Sequence, residues 1–348
     1  MTRRMIILTE GHTNPRTAKT ASCLIRYRRD DVVAVLDSTE AGRTTQPLLG
    51  VGGDLPVVGS LDAAPQADTL VIGIAPPGGK IPPAWRAVVL AAIERGMNIV
   101  SGLHDFLGDD AQFAAAAQQH GVRIDDVRRN DEQTIATREG LRPDCLRIHT
   151  VGHDCSVGKM VVSVELTNAL KAAGHDAKFI ATGQTGILVE GDGCPIDRVI
   201  VDFVSGAAER QVLAHQHHDI LVVEGQGSLY HPAYSAVTLG LLHGCLPHGM
   251  ILCYEIGRDS PVGFPGIPLP PLAEVRRVFE EMANVMFPAR VIGVAMNSRT
   301  VSADQAEQEQ RRVRDELGLP VCDVIRHGPA ELVEAVEHLR RKCLESVP

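Results

Sequence analysis

The sequence predicts an α/β protein of two parallel, doubly wound sheets, and three observations predict it. Short β-branched and aliphatic runs alternate with helix-length segments along the whole chain. A length of 348 residues fits about two domains, and 44% apolar residues can fill two cores. Between the run Ile148 to Val151 and an apolar helical segment stands a glycine-bracketed loop, Gly152-His153-Asp154-Cys155-Ser156-Val157-Gly158-Lys159-Met160, the pattern of a phosphate-binding P-loop.

In the first half, strand Met5 to Leu8 precedes helix Thr17 to Tyr27, and strand Val32 to Leu36 ends at Asp37. Strand Thr69 to Ile74, helix Pro83 to Arg95, strand Asn98 to Val100 and helix Phe113 to His120, closed by Gly121, continue the alternation. This rhythm implies a Rossmann-like sheet. The charged stretch Arg123 to Arg142 ends at Pro143, which places the boundary between a Rossmann-like domain, 1–142, and a P-loop NTPase-like domain, 143–348.

The second half opens with strand Arg147 to Val151, the loop, and a helix whose Val162, Leu166, Leu170 and Ala173 keep the helical period until Gly174. Further strands are expected at Ala177 to Ala181, Val199 to Phe203, Ile220 to Val223, Met250 to Tyr254 and Val291 to Ala295. A final helix, Glu331 to Cys343, reads as core packing through Leu332, Val336 and Leu339. In a doubly wound sheet the turns after the strands line the carboxyl edge, where ligands bind.

Composition narrows the partners. With 34 basic and 43 acidic residues the net charge is −9, which disfavours nucleic-acid backbones and anionic membranes and leaves a small-molecule substrate. No apolar run spans a bilayer, and the start is too polar for a signal peptide, so the expected compartment is the cytoplasm. Eight cysteines without a CxxC pair suggest neither a zinc site nor a disulfide framework, and no metal is assigned. His215, His217 and His218 read as an exposed polar turn, with a metal site on one helix face as the competing reading. A homo-oligomer is expected on base rates.

The loop carries most of the chemistry. Its glycines let the backbone approach closely, successive N–H groups point at an anion, the helix start adds positive potential, and the Lys159 ammonium neutralises phosphate oxygens. The position after Lys159 holds Met160, where the common pattern has the Ser or Thr whose hydroxyl ligates Mg²⁺. The cradle is kept and a metal ligand is lost.

Other turns supply candidates for catalysis and substrate binding. Strand Ile220 to Val223 delivers Glu224 into Gly225-Gln226-Gly227, placed either to hold Mg²⁺ or to act as a general base. His231 follows as a functional or a structural histidine. Thr182-Gly183-Gln184-Thr185 suits a polar ligand group such as a carboxylate. Asp202, within an apolar run, is read as buried and therefore as meeting a cationic or amine ligand, or hydrogen bonds at the sheet edge. Asn297 is placed to read adenine or simply to end its strand, and Arg258 to clamp a carboxylate or to pair with Glu255 or Asp259.

Three resemblances follow from these residues. Gly-His-Asp-Cys-Ser-Val-Gly-Lys, with five residues between its glycines, resembles the longer P-loop of dethiobiotin synthetase. Leu55 to Leu61, Leu70 to Gly79 and Gly96 to Gly102 look like the coenzyme-A-binding domain of acyl-coenzyme-A synthetases. Over nearly its whole length, through Ala18-Lys19-Thr20-Ala21, Val33 to Ser38, Ser101-Gly102-Leu103-His104, the loop with Gly-Lys-Met, and Glu224-Gly-Gln-Gly-Ser-Leu with His231-Pro232, the chain resembles a bacterial family of two-domain P-loop proteins that includes the D-glutamate N-acetyltransferases. That family commonly has Thr where this chain has His153.

The resemblance implies acetyl transfer from acetyl-coenzyme A to the amine of an acidic D-amino acid. Coenzyme A, with its diphosphate and 3′-phosphate, fits a cradle without the metal hydroxyl, whereas phosphoryl transfer needs the ion. Glu224 or His231 would deprotonate the amine, Gln226 and loop donors would hold the oxyanion, and Arg258 with the Thr182–Thr185 turn would orient the substrate. The alternatives are an ATP- and Mg²⁺-dependent carboxylase or ligase like dethiobiotin synthetase, and a non-catalytic metabolite sensor.

Overall fold

The computed structural model describes residues 3–74 and 79–345. Ala75 to Gly78, part of one run compared above with coenzyme-A-binding domains, lie outside the described residues. The chain forms two compact units, Met1–Arg129 with Ile187–Gly191, and Asn130–Gly186 with Asp192–Pro348. Pro143, the expected boundary, therefore falls inside the second unit.

The first unit holds six strands: β1 Met5–Leu8, β2 Val32–Leu36, β3 Val57–Val58, β4 Thr69–Ile72, β5 Asn98–Ser101 and β6 Ile124–Asp126. Their order is β3-β2-β1-β4-β5-β6 and every pairing is parallel, which is the dinucleotide-fold order. All four residues of β1 are buried, as expected for a strand covered on both faces. Helix Ala111–His120 shows why the local sequence suffices: Asp110 accepts hydrogen bonds from the Gln112 and Phe113 N–H groups, and Gly121 closes the helix in the left-handed region.

The second unit is also a six-stranded parallel sheet, β12-β11-β10-β7-β9-β8. Its strands are β7 Leu146–Gly152, β8 Ala177–Ile180, β9 Ile220–Val223, β10 Gly249–Glu255, β11 Arg290–Asn297 and β12 Val321–Cys322. Strand β7 is central and wholly buried, so its polar members need partners. Arg147 donates to the carbonyls of Leu246 and Cys145, and the His149 ring meets the Val223 carbonyl. Helix Lys159–Ala172 follows the loop, and its Val162, Leu166 and Leu170 enter the core. The last helix, Ala330–Glu345, buries Leu332, Val336 and Leu339 as expected.

One expected strand is absent. Residues 199–203 form no strand; short 3-10 turns at Ile196–Arg198 and Val201–Phe203 lead into helix Val204–His215. Ile200 and Val201 are 61% and 64% exposed, and only Val199 of the apolar run packs against the core. Asp202 sits exposed in the first turn of the second 3-10 segment, and the burial penalty that singled it out does not arise. The His215–His218 segment is a helix end and turn in which His215 pairs with Asp192 and His218 with Asp176. Among the described residues no helix is long and apolar enough to cross a membrane.

Candidate active site

The carboxyl edge of the second sheet gathers Gly152 from β7, Glu255 from β10 and Asn297 from β11, with Glu224 following β9 and Thr182 following β8. In the loop, Ser156 (φ 57°) and Gly158 (φ 110°) take left-handed backbone, which turns the chain into the helix beginning at Lys159. A side chain at Gly152 would stand 3.1 Å from the Cys253 carbonyl oxygen and 3.2 Å from Lys159 Nζ. Lys159 is buried, its Nζ donates to the Asp154 carbonyl at 2.8 Å, and burial pulls its pKa down. Met160 is half-buried and offers no hydroxyl.

Thr150 stitches this loop to the Glu224 turn. Its Oγ1 accepts from the Gly225 N–H at 2.9 Å and meets Ser163 Oγ at 3.0 Å. A Cβ on Gly225 would land on the Thr150 carbonyl, which explains the glycine after the acid. On the other side, Ser228 Oγ donates to the His153 carbonyl at 3.0 Å.

Glu224 is buried, and its Oε2 accepts from the backbone N–H groups of Thr182 and Gly183 at 2.9 and 3.1 Å. Burial pushes its carboxyl pKa up to about 7, against the lowering effect of those two N–H groups and of Lys159. Thr182 Oγ1 donates to the Glu224 carbonyl and accepts from Gln226 Nε2. The Thr182-Gly183 backbone thus serves the carboxylate. Gln184 is buried with Oε1 unpartnered among the described residues, and Thr185 follows half-buried.

Arg258 is committed. It donates to Asp154 Oδ2 at 2.6 Å, to the Cys155 carbonyl at 2.7 Å, and to Glu255, whose other oxygen takes Arg299 at 2.8 Å. The structure therefore gives the ion pair that competed with the clamp reading, enlarged to a four-member network. Asn297 Nδ2 donates to the Val157 carbonyl at 3.3 Å and its Oδ1 accepts from Arg299 N–H, so its amide braces the loop.

His231 is buried, accepts from the Ala233 N–H at Nδ1 (3.2 Å) and donates from Nε2 to the Val262 carbonyl (3.1 Å). Both of its nitrogens are engaged. His153 is buried with both ring nitrogens unpartnered among the described residues, and burial followed by the Arg258 charge lowers its pKa to about 4, so its ring is neutral at neutral pH.

Sequence reasoning missed Thr150, Ser228 and Arg299, which act through backbone groups or through another side chain. Glu255 was read only as an Arg258 partner, although it shares the signal that found Glu224: an acid closing a buried strand.

A family model described as a domain of unknown function, DUF1611_C, P-loop domain, matches residues 134–333, and its companion, the DUF1611_N Rossmann-like domain, matches residues 38–130. The chain belongs to the DUF1611 family. Among relatives of this DUF1611 protein is a D-glutamate N-acetyltransferase from Tritonibacter scottomollicae, 39% identical over 271 residues, or 78% of this chain and 81% of the relative. A D-glutamate N-acetyltransferase from Pseudoalteromonas sp is 38% identical over 268 residues, 77% of this chain and 80% of its own length. The crystal structure of a DUF1611 family protein from Anabaena variabilis superposes with a TM-score of 0.91 at 38% identity, covering 97% of this chain and 99% of the other.

Proposed function

We propose that this DUF1611 protein transfers the acetyl group of acetyl-coenzyme A to the amine of an acidic D-amino acid, with D-glutamate as the first substrate to test. The observation that carries the reading is Glu224, a buried carboxyl with a pKa near 7 beside a P-loop that keeps Lys159 and lacks the metal hydroxyl. The names of the two relatives point the same way.

The loop N–H groups and Lys159 suit the phosphates of the donor, and Met160 costs such a ligand nothing because no ion is needed to bind it. Glu224, ionised above its pKa, takes a proton from the substrate ammonium. The freed amine attacks the thioester carbonyl, the C–N bond forms, the C–S bond breaks, and the coenzyme A thiolate leaves and is protonated. The second N–H of the Gln226 amide supports the oxyanion of the tetrahedral intermediate. Gln184 Oε1, a buried acceptor at the start of helix Gln184–Glu190, suits the substrate ammonium. Because Arg258 is already paired, the substrate carboxylates need other donors.

The test mixes purified protein with acetyl-coenzyme A and D-glutamate and follows free thiol. Thiol release is expected with acidic D-amino acids; none across a panel that includes L-glutamate and both aspartates rejects the reading. The same edge, with an acid beside a P-loop, also supports an ATP- and Mg²⁺-dependent ligase. Calorimetry separates the two: thioester affinity indifferent to Mg²⁺ supports transfer, and ATP affinity that demands Mg²⁺ supports the ligase.

A further inference from the structure

We propose that Asp154, Cys155 and His231 form a site for one divalent cation of the zinc class at the mouth of the P-loop. One ligand atom from each residue, a carboxylate oxygen, the thiol sulfur and a ring nitrogen, lies within 4.8 Å of the other two. Two come from the loop and one from the turn after β9, so no CxxC-type spacing marks the set in the sequence.

The surroundings are those of a ligand set that is already oriented. Metal-bound imidazoles typically donate their second ring N–H to a carbonyl or carboxylate, and bound carboxylates are held by hydrogen bonds to their other oxygen. His231 Nε2 donates to the Val262 carbonyl, which fixes the tautomer with the lone pair on Nδ1. The present contact to that lone pair, from Ala233 N–H at 3.2 Å, is at the long end for such a bond. Asp154 Oδ2 accepts from the Val262 N–H at 3.0 Å and from Arg258 at 2.6 Å. Asp154 Oδ1, in a residue with no solvent exposure, has no partner among the described residues. A buried unpartnered carboxylate oxygen is costly, and a cation satisfies it.

The donor chemistry selects the ion. A thiolate, an imidazole and one carboxylate oxygen suit Zn²⁺ or Co²⁺, whereas Mg²⁺ and Ca²⁺ take oxygen ligands. Three protein ligands leave a fourth tetrahedral position facing water or a bound molecule. Both Asp154 and His231 also bond to the backbone of Val262, so an ion here ties the loop after β10 to the phosphate cradle. The inference does not depend on the acetyl-transfer reading.

The test uses the full chain, stripped of metal, titrated with Co²⁺ and then with Zn²⁺ while the absorption spectrum is recorded. A thiolate-to-cobalt charge-transfer band saturating at one equivalent, with four-coordinate visible bands and bleaching by one equivalent of Zn²⁺, is the expected result. Cys155→Ser should abolish the charge-transfer band, and His231→Gln should weaken Co²⁺ binding about 10-fold or more. Circular dichroism checks the fold of each variant, and if either fails to fold, Cys155→Ala and Asp154→Asn are read in its place. Absence of the band in the native chain, or a band that survives loss of the Cys155 thiol, overturns the site.

Discussion

Glu224→Gln is expected to stabilise the protein while disabling it, a pairing of effects that follows from one buried carboxyl. Its pKa rises from 4.5 to about 7 on folding because burial disfavours the charged form. The folded state therefore holds this proton more tightly than the unfolded chain, so the contribution of Glu224 to stability is greatest below about pH 4.5 and falls as pH rises to about 7, with no further loss above. The difference corresponds to on the order of 3 kcal/mol. Glutamine keeps an acceptor for the Thr182 and Gly183 N–H groups and carries no charge at any pH. Urea unfolding should show the variant more stable than the native chain by up to that amount near pH 8, and nearly equal near pH 4. Thiol-release kcat/KM should fall on the order of 10²–10⁴-fold, and the acid limb near pH 7 should disappear with the carboxyl. A variant within about tenfold of native activity, or one that keeps the same acid limb, refutes the assignment of Glu224 as the base.

Lys159→Ala should raise KM for acetyl-coenzyme A about 10- to 100-fold in steady-state kinetics, the equivalent of one charge-assisted hydrogen bond to phosphate. Met160→Thr restores the hydroxyl of the common loop, and calorimetry should then find ATP binding strengthened by Mg²⁺ while thioester affinity stays within about threefold. Gly186→Ala places a methyl group against Glu224 Oε2, so its kcat should drop more than its thermal stability, read by thiol release and by melting. Asp202→Ala, on an exposed turn, should leave activity unchanged and stability within about 0.5 kcal/mol in urea unfolding.

Much of this arrangement was legible because sheet strands buried on both faces write continuous apolar runs, and because glycines punctuate them. Strands β7, β9, β10 and β11 stood out that way, and each ends at a residue of the candidate site or runs into one. Strands β3, β6 and β12, two or three residues long, leave no period to read. The run at 199–203 has the composition of a strand, yet Ile200 and Val201 face solvent; composition does not say whether a neighbour exists to pair with. Side-chain commitments were less visible still. Nothing in Gly257-Arg258-Asp259 reveals that the guanidinium reaches back to Asp154, a residue far away in sequence; the local sequence offers only a clamp or a pairing with the neighbouring Glu255 or Asp259. The expected Thr182 turn gives way to a helix from Gln184, and the groups that serve Glu224 there are the backbone N–H donors of Thr182 and Gly183, which every residue type but proline supplies.

The electrostatics of the edge lead to one more consequence. Asp154 and Glu255 are balanced by Arg258 and Arg299, so that network contributes little net charge to the cradle. Two charges act on Glu224: Asp197 raises the pKa of the carboxyl and Lys159, the one in the cradle, lowers it. Phosphate groups seated on Lys159 cancel part of that effect, so the carboxylate becomes a stronger base when the donor is in place. The acid limb of kcat, which reports the group in the ternary complex, should therefore lie at higher pH than the limb of kcat/KM for the amino acid measured at low donor concentration. Lys159→Ala removes the charge in both states and should bring the two limbs together. Limbs that coincide in the native enzyme, or that stay apart in the variant, would show that Glu224 does not sense the donor through Lys159.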